Sequence, residues 1–145
     1  MKKLIPTGSY EVQLPNQIES QQDDRVSSFW SDGEPLLLQL SSYVRTDGEQ
    51  VSAKQRLEDR IAKTSGTRTD VPTRVNEHAP DQAAVEVLDA NGISWLHTYL
   101  VWPHLAIYAS LSGPEGAVHN NESWARLALK TLALRLVPHS SPPLA

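Results

Sequence analysis

The dipeptide Asn91-Gly92 separates two runs of β-forming residues, 84–90 and 93–101. Asn-Gly suits a two-residue type I′ turn, whose central residues both take positive φ, so it predicts a hairpin. A two-residue loop sets the register. Ala90 then faces Ile93, Leu88 faces Trp95, Glu86 faces His97 and Ala84 faces Tyr99. Those residues form one face, and Val85, Val87, Leu96, Thr98 and Leu100 form the other.

Trp102-Pro103-His104 interrupts the ladder because proline donates no backbone hydrogen bond, and residues 105–111 read as a third strand. With Pro103-His104 or Trp102-Pro103 as the turn, Leu105, Ile107, Ala109 and Leu111 join the face of Leu96 and Leu100. Tyr108 then falls beside His97 or Tyr99; a three-residue loop would reverse the facing. Beyond the Ser112-Gly113-Pro114 turn, Asn120-Asn121 offers an N-cap and Glu122 an acidic first turn. The predicted helix runs to about residue 137, where Pro138 ends it. Plotted at about 100° per residue, Ala125, Ala128, Leu129, Leu132, Ala133 and Leu136 form one arc. Trp124, Leu127 and Leu134 widen it, leaving Arg126 and Lys130 as the polar strip.

Upstream, Tyr10, Val12 and Leu14 alternate with polar residues in a half-buried strand stopped by Pro15, and polar residues 16–24 read as a loop. Residues 26–30 and 36–45 form strands around the Ser31-Asp32-Gly33-Glu34-Pro35 turn, with Leu36, Leu38, Leu40 and Val44 on the buried side. Thr46-Asp47-Gly48-Glu49 turns the chain again. Ser52, with Gln55 three residues on, starts a helix whose apolar stripe is Ala53, Leu57 and Ile61. Residues 67–80 read as a long loop or one short strand.

The result is an α+β fold: a single antiparallel sheet of about five to six strands with a short helix and an apolar C-terminal helix packed on it. Residues 1–137 form one domain and 138–145 a flexible proline-rich tail. At 145 residues the chain buries a core without staples, and its zero cysteines exclude disulfides and thiol chemistry. A net charge of −4 with no basic cluster argues against nucleic acid and anionic membranes. Pro6, Thr7 and Gly8 cut short any apolar leader, so the default setting is the cytoplasm.

The Tyr-x-Val-x-Leu-Pro strand at Tyr10 to Pro15, a helix after the second hairpin and a closing helix after a meander resemble the PsbP-like fold superfamily. The resemblance covers residues 10–137. It implies a non-enzymatic adaptor or assembly factor and carries no particular residue across.

Glu86 opposite His97, with Tyr99 and Tyr108 nearby, has the composition of an oriented general base. The simpler reading, a cross-strand polar contact, is favoured, because no serine, cysteine or metal-ligand pattern completes a site. His97 and His104 with Glu86 match no metal template, so no catalytic residue, metal or cofactor is assigned. Trp95, Tyr99 and Tyr108 with Glu86 and His97 make a face suited to partner binding, unless the Ser52 helix covers it. The expected function is non-catalytic binding of another protein or of a second copy, as an adaptor, secretion-associated chaperone or immunity-type factor. The alternative is a small-molecule binder or enzyme with a Glu-His-Tyr pocket.

Overall fold

A computed structural model describes residues 2–6, 10–23, 25–45, 51–70 and 74–134. The expected turn at 46–49 and the tail at 138–145 lie outside them. The α+β class holds, but the strands divide into two sheets. In the smaller, β2 (Tyr10–Pro15) lies between β1 (Lys2–Pro6) and β10 (Ala133–Leu134). The larger contains β3 (Glu19–Gln22), β4 (Val26–Trp30), β5 (Leu37–Val44), β6 (Thr67–Asp70), β7 (Asp81–Leu88), β8 (Ile93–Val101) and β9 (Leu105–Pro114). Its order is β3-β4-β5-β9-β8-β7-β6, with every neighbouring pair antiparallel.

The extra strands explain the miscount. β3 is an edge strand with all four side chains exposed, so its ESQQ sequence carries no apolar alternation. Edge pairing needs only backbone groups. Within β5, Leu36-adjacent packing follows expectation through Leu38 and Leu40, but Val44 is 79% exposed. It extends past the last β4 pair, Val26 with Ser41.

The hairpin at Asn91-Gly92 exists with a different register. Asp89 N donates to Ile93 O at 2.9 Å and Gly92 N to Asp89 O at 3.1 Å. Gly92 has φ 79°, whereas no described non-glycine residue has positive φ. The loop is therefore three residues, Ala90-Asn91-Gly92, a type I turn completed by a left-handed glycine. The one-residue shift puts Glu86 opposite Leu96, Val85 opposite His97 and Val87 opposite Trp95. Glu86 and His97 consequently occupy opposite faces of the sheet. The next turn has two residues, Pro103-His104, closed by Trp102 N to Leu105 O at 2.7 Å. Leu105, Ile107, Ala109 and Leu111 are buried with Leu96 and Leu100, and Tyr108 pairs with Tyr99.

The expected closing helix, capped at Asn120-Asn121 and running to about 137, is cut down to α3 (Trp124–Thr131), with residues 135–137 outside the described ones, and a separate short helix, α2 (Glu115–His119), precedes it. Asn120 Oδ1 accepts from Glu122 N in a turn, and Ser123 caps α3 by accepting from Arg126 N. At the other end Thr131 Oγ1 donates to Ala128 O and accepts from Gln13 N. Leu132 turns extended, with ψ 126°, so that Ala133 and Leu134 pair with β2. No helix among the described residues is long and apolar enough to cross a membrane.

Two clusters cover the two faces of the large sheet. Leu38, Leu40, Leu96, Leu100, Ile107 and Leu111 pack with Val12 and Leu14 of β2 and Ala125, Ala128 and Leu129 of α3. Opposite them, Val85, Val87, Tyr99, Val101 and Ala106 pack under α1 (Ala53–Ile61), through Ala53, Leu57 and Ile61. Ser52 caps that helix by accepting from Gln55 N at 3.1 Å. Each fully buried leucine contributes roughly 1.5 to 3 kcal/mol, so both clusters hold the sheet.

Candidate functional site

Alternation along β8 points Trp95, His97 and Tyr99 to the α1 side, and β9 adds Tyr108. The rings form a row. Trp95 and His97 stack at 6.0 Å between centroids, His97 and Tyr108 at 6.0 Å, and Tyr99 lies 5.1 Å from Tyr108. His97 Nδ1 lies 2.6 Å from the Tyr108 hydroxyl. Arg60, in the last turn of α1, closes the row: its Nε donates to the Tyr99 hydroxyl at 2.6 Å and an Nη to the Tyr43 hydroxyl at 2.8 Å.

Burial and the Arg60 charge set the protonation of this row. Burial pushes the Tyr108 hydroxyl up to about 12, against the lowering effect of Arg60. Burial lowers the His97 pKa, and the Arg60 charge lowers it further. Imidazole therefore stays neutral and Tyr108 keeps its proton, which suits donation from the hydroxyl to Nδ1.

The Ser52 helix covers part of this face. α1 packs on β7 and β8, and Tyr99 beneath it is 5% exposed. Beyond Arg60 the sheet is more open. Trp30, Leu37, Ser112 and Trp95 form one half-buried cross-strand row on β4, β5, β9 and β8. Ser28, Gln39, Ser110 and His97 form the next, with Gln39 Nε2 donating to Ser28 Oγ at 3.1 Å.

Glu86 does not belong to this row. The one-residue register shift sends it through the sheet, where one carboxylate oxygen accepts from Arg126 at 2.8 Å and lies 2.9 Å from His119 Nδ1. Its side chain is 12% exposed and that of Arg126 9%. Arg126 also donates from Nε to Val118 O at 2.8 Å. These groups line a cavity of about 810 Å³, shared with Asp70, Glu77 and Lys130 among others. Residues 74–80 form one wall. Asn76, 1% exposed, ties that segment to the end of α3 by donating to Leu132 O at 2.6 Å. Gln82 accepts from Val75 N and Asn76 N at 3.0 Å each.

A Glu-His-Tyr pocket therefore does not form, because Glu86 is separated from His97 and Tyr99 by the sheet itself. His104 sits exposed in its turn. Among the described residues no group of three or more His, Asp or Glu is placed to hold a metal ion. Sequence reasoning missed Trp30, Leu37, Arg60, Arg126 and His119. The usable signal for Arg126 was its spacing: with Lys130 it gives two cations at i and i+4 on an otherwise apolar helix.

The molecule is thus an antiparallel α+β protein whose large sheet carries an aromatic row on one face and a charged cavity on the other. No protein-family description matches the chain, and no curated protein matches it in sequence. Among solved structures it is similar to a protein from Bacteroides thetaiotaomicron VPI-5482, determined at 1.50 Å resolution, with TM-score 0.61 and 13% identity. The match covers 92% of this chain and 47% of that one, so this chain spans about half the length of its neighbour. At this identity the likeness is one of fold.

Proposed function

We propose that this protein is a non-catalytic binding protein that engages another protein through the uncovered part of its large sheet. The observation that carries the reading is the half-buried row Trp30, Leu37, Ser112 and Trp95, bordered by His97 and Tyr108. Tryptophans set among small hydroxyl residues supply large contact area with polar edges, a composition common at interface centres. The sequence resemblance to PsbP-like proteins supports the same role, in an adaptor, chaperone or immunity-type setting, with a cytoplasmic location as part of the proposal. Glu86, first grouped with this surface, is excluded from it by the register.

The test compares Trp30→Ala, Trp95→Ala and the double variant with the wild type. Solution mass at two concentrations shows whether the partner is a second copy, and affinity capture with quantified binding measures a different one. Each truncation is expected to weaken association by about 30-fold, near 2 kcal/mol, while circular dichroism stays unchanged. Association unaffected by the double variant overturns the proposal.

A further inference from the structure

We infer that the cavity behind Glu86 is a binding site for a small zwitterion, a free amino acid or the termini of a short peptide. This site is separate from the aromatic face and on the other side of the sheet. Its charges are sorted by element. Arg126 and Lys130 come from one side of α3, whereas Asp70 comes from the end of β6 and Glu77 from the wall at 74–80, where Arg74 donates to Ala79 O within the wall itself.

Within the lining, Glu86 is satisfied internally by Arg126 and His119. Arg126 spends one N–H on Val118 O and another on Glu86, and its remaining guanidinium donors have no partner among the described residues. The side chains of Lys130, Asp70 and Glu77 likewise have no ion-pair or hydrogen-bond partner among the described residues. What the cavity offers a ligand is a cationic side on α3 and, across from it, the carboxylates of Asp70 and Glu77, on a wall where Arg74 is engaged with Ala79 O.

The balance of charge selects the ligand class. Asp70, Glu77 and Glu86 are matched by Arg74, Arg126 and Lys130. A ligand with net charge would leave one group of the site uncompensated, whereas one carrying both signs satisfies both sides. A carboxylate fits the planar guanidinium fork of Arg126 with Lys130 beside it, and an ammonium fits Asp70 and Glu77. The volume of about 810 Å³ accommodates more than a single amino acid and lies within the roughly 300 to 1,000 Å³ usual for small-molecule sites.

Calorimetric titration of the full chain with alanine and with tri-alanine at low ionic strength tests this. Binding of at least one is expected. Amidating the C-terminus or acetylating the N-terminus of the bound form should each weaken it at least tenfold. Lys130→Gln and Glu77→Gln, both on exposed side chains, should weaken it several-fold with an unchanged circular dichroism spectrum. Preference for alanine assigns the site to free amino acids, and preference for tri-alanine assigns it to peptide termini. No heat with either probe at millimolar concentration, equal binding of blocked and unblocked forms, or unchanged binding in both variants overturns the inference. Because Trp30 and Trp95 lie on the opposite face, their variants leave this binding untouched, so the two proposals fail independently.

Discussion

The guanidinium carbon of Arg60 lies 3.9 Å from the centre of the Tyr108 ring, a cation resting on an aromatic face. This contact joins α1 to the aromatic row and keeps a charge beside a hydroxyl that burial holds in its neutral form.

Tyr108 predicts an alkaline loss of stability. Its folded pKa, about 12, exceeds the unfolded value near 10. The folded state retains a proton that the unfolded state releases, so its contribution is complete below pH about 10 and disappears as pH rises towards about 12. Urea unfolding across that window should show the decline, and Tyr108→Phe should reduce it. An equal decline in the variant would assign the loss to other groups.

His97 predicts an acid effect of opposite origin. Burial and Arg60 depress its folded pKa, so the unfolded chain takes up a proton first, near pH 6.5. Its contribution is present above that value and is lost as pH falls through the depressed folded pKa. Proton resonances of the His97 ring should titrate below the ordinary imidazole value of about 6.5. Titration at or above that value would refute the buried, neutral assignment.

The hairpin tip depends on Asp89 and Gly92. Asp89 accepts from the Ile93 and Asn91 amides and from the Trp95 indole at 3.1 Å. The Ile93 amide is the leading cause of its lowered pKa, followed by the indole. The stabilisation is therefore present above the ordinary carboxylate range and lost as pH falls through the lower folded pKa. Asp89→Asn should lie below wild type at neutral pH and converge with it in acid. Gly92→Ala should cost about 1 kcal/mol, because alanine disfavours the left-handed conformation. Denaturant midpoints measure both, and a neutral Gly92→Ala would argue against the three-residue loop.

Glu86 and His119 should differ sharply on substitution. Glu86→Gln strips the carboxylate from a guanidinium whose side chain is only 9% exposed, at a cost of about 3 kcal/mol. The His119 side chain is 45% exposed, and His119→Gln should cost about 1 kcal/mol or less. Denaturant unfolding of the two variants and their double mutant checks the order. Equal costs would mean that Arg126 is not the principal partner.

Much of this architecture was legible in short signals. Ser52 with Gln55 marked α1, Pro103-His104 placed a tight turn, and the alternation of Tyr10, Val12 and Leu14 oriented β2. Asn91-Gly92 located its hairpin, but the dipeptide is compatible with two loop lengths. The deciding residue was Asp89, whose carboxylate holds the wider loop, and reading it as part of the strand displaced Glu86 by one face. β3 was hidden because its pairing uses backbone groups and leaves Glu19, Ser20, Gln21 and Gln22 in water. The end of α3 was hidden because Leu132, Ala133 and Leu134 continue a helical apolar pattern. They leave the helix for tertiary reasons, pairing with β2 and offering Leu132 O to Asn76.

The seam between β5 and β9 has a kinetic consequence. It unites strands that are separated in sequence by α1, β6, β7 and β8, and it is where Leu38 meets Leu111 and Leu40 meets Ala109. Neighbouring hairpins close over short loops, but this seam closes one long loop, whose entropic cost precedes any reward from the contact. The meander of β3, β4 and β5 and the ladder of β6 to β9 can each begin to assemble locally. Their meeting along β5 and β9 is therefore the step expected to be slow, and refolding monitored by hydrogen exchange should protect those two strands against each other last.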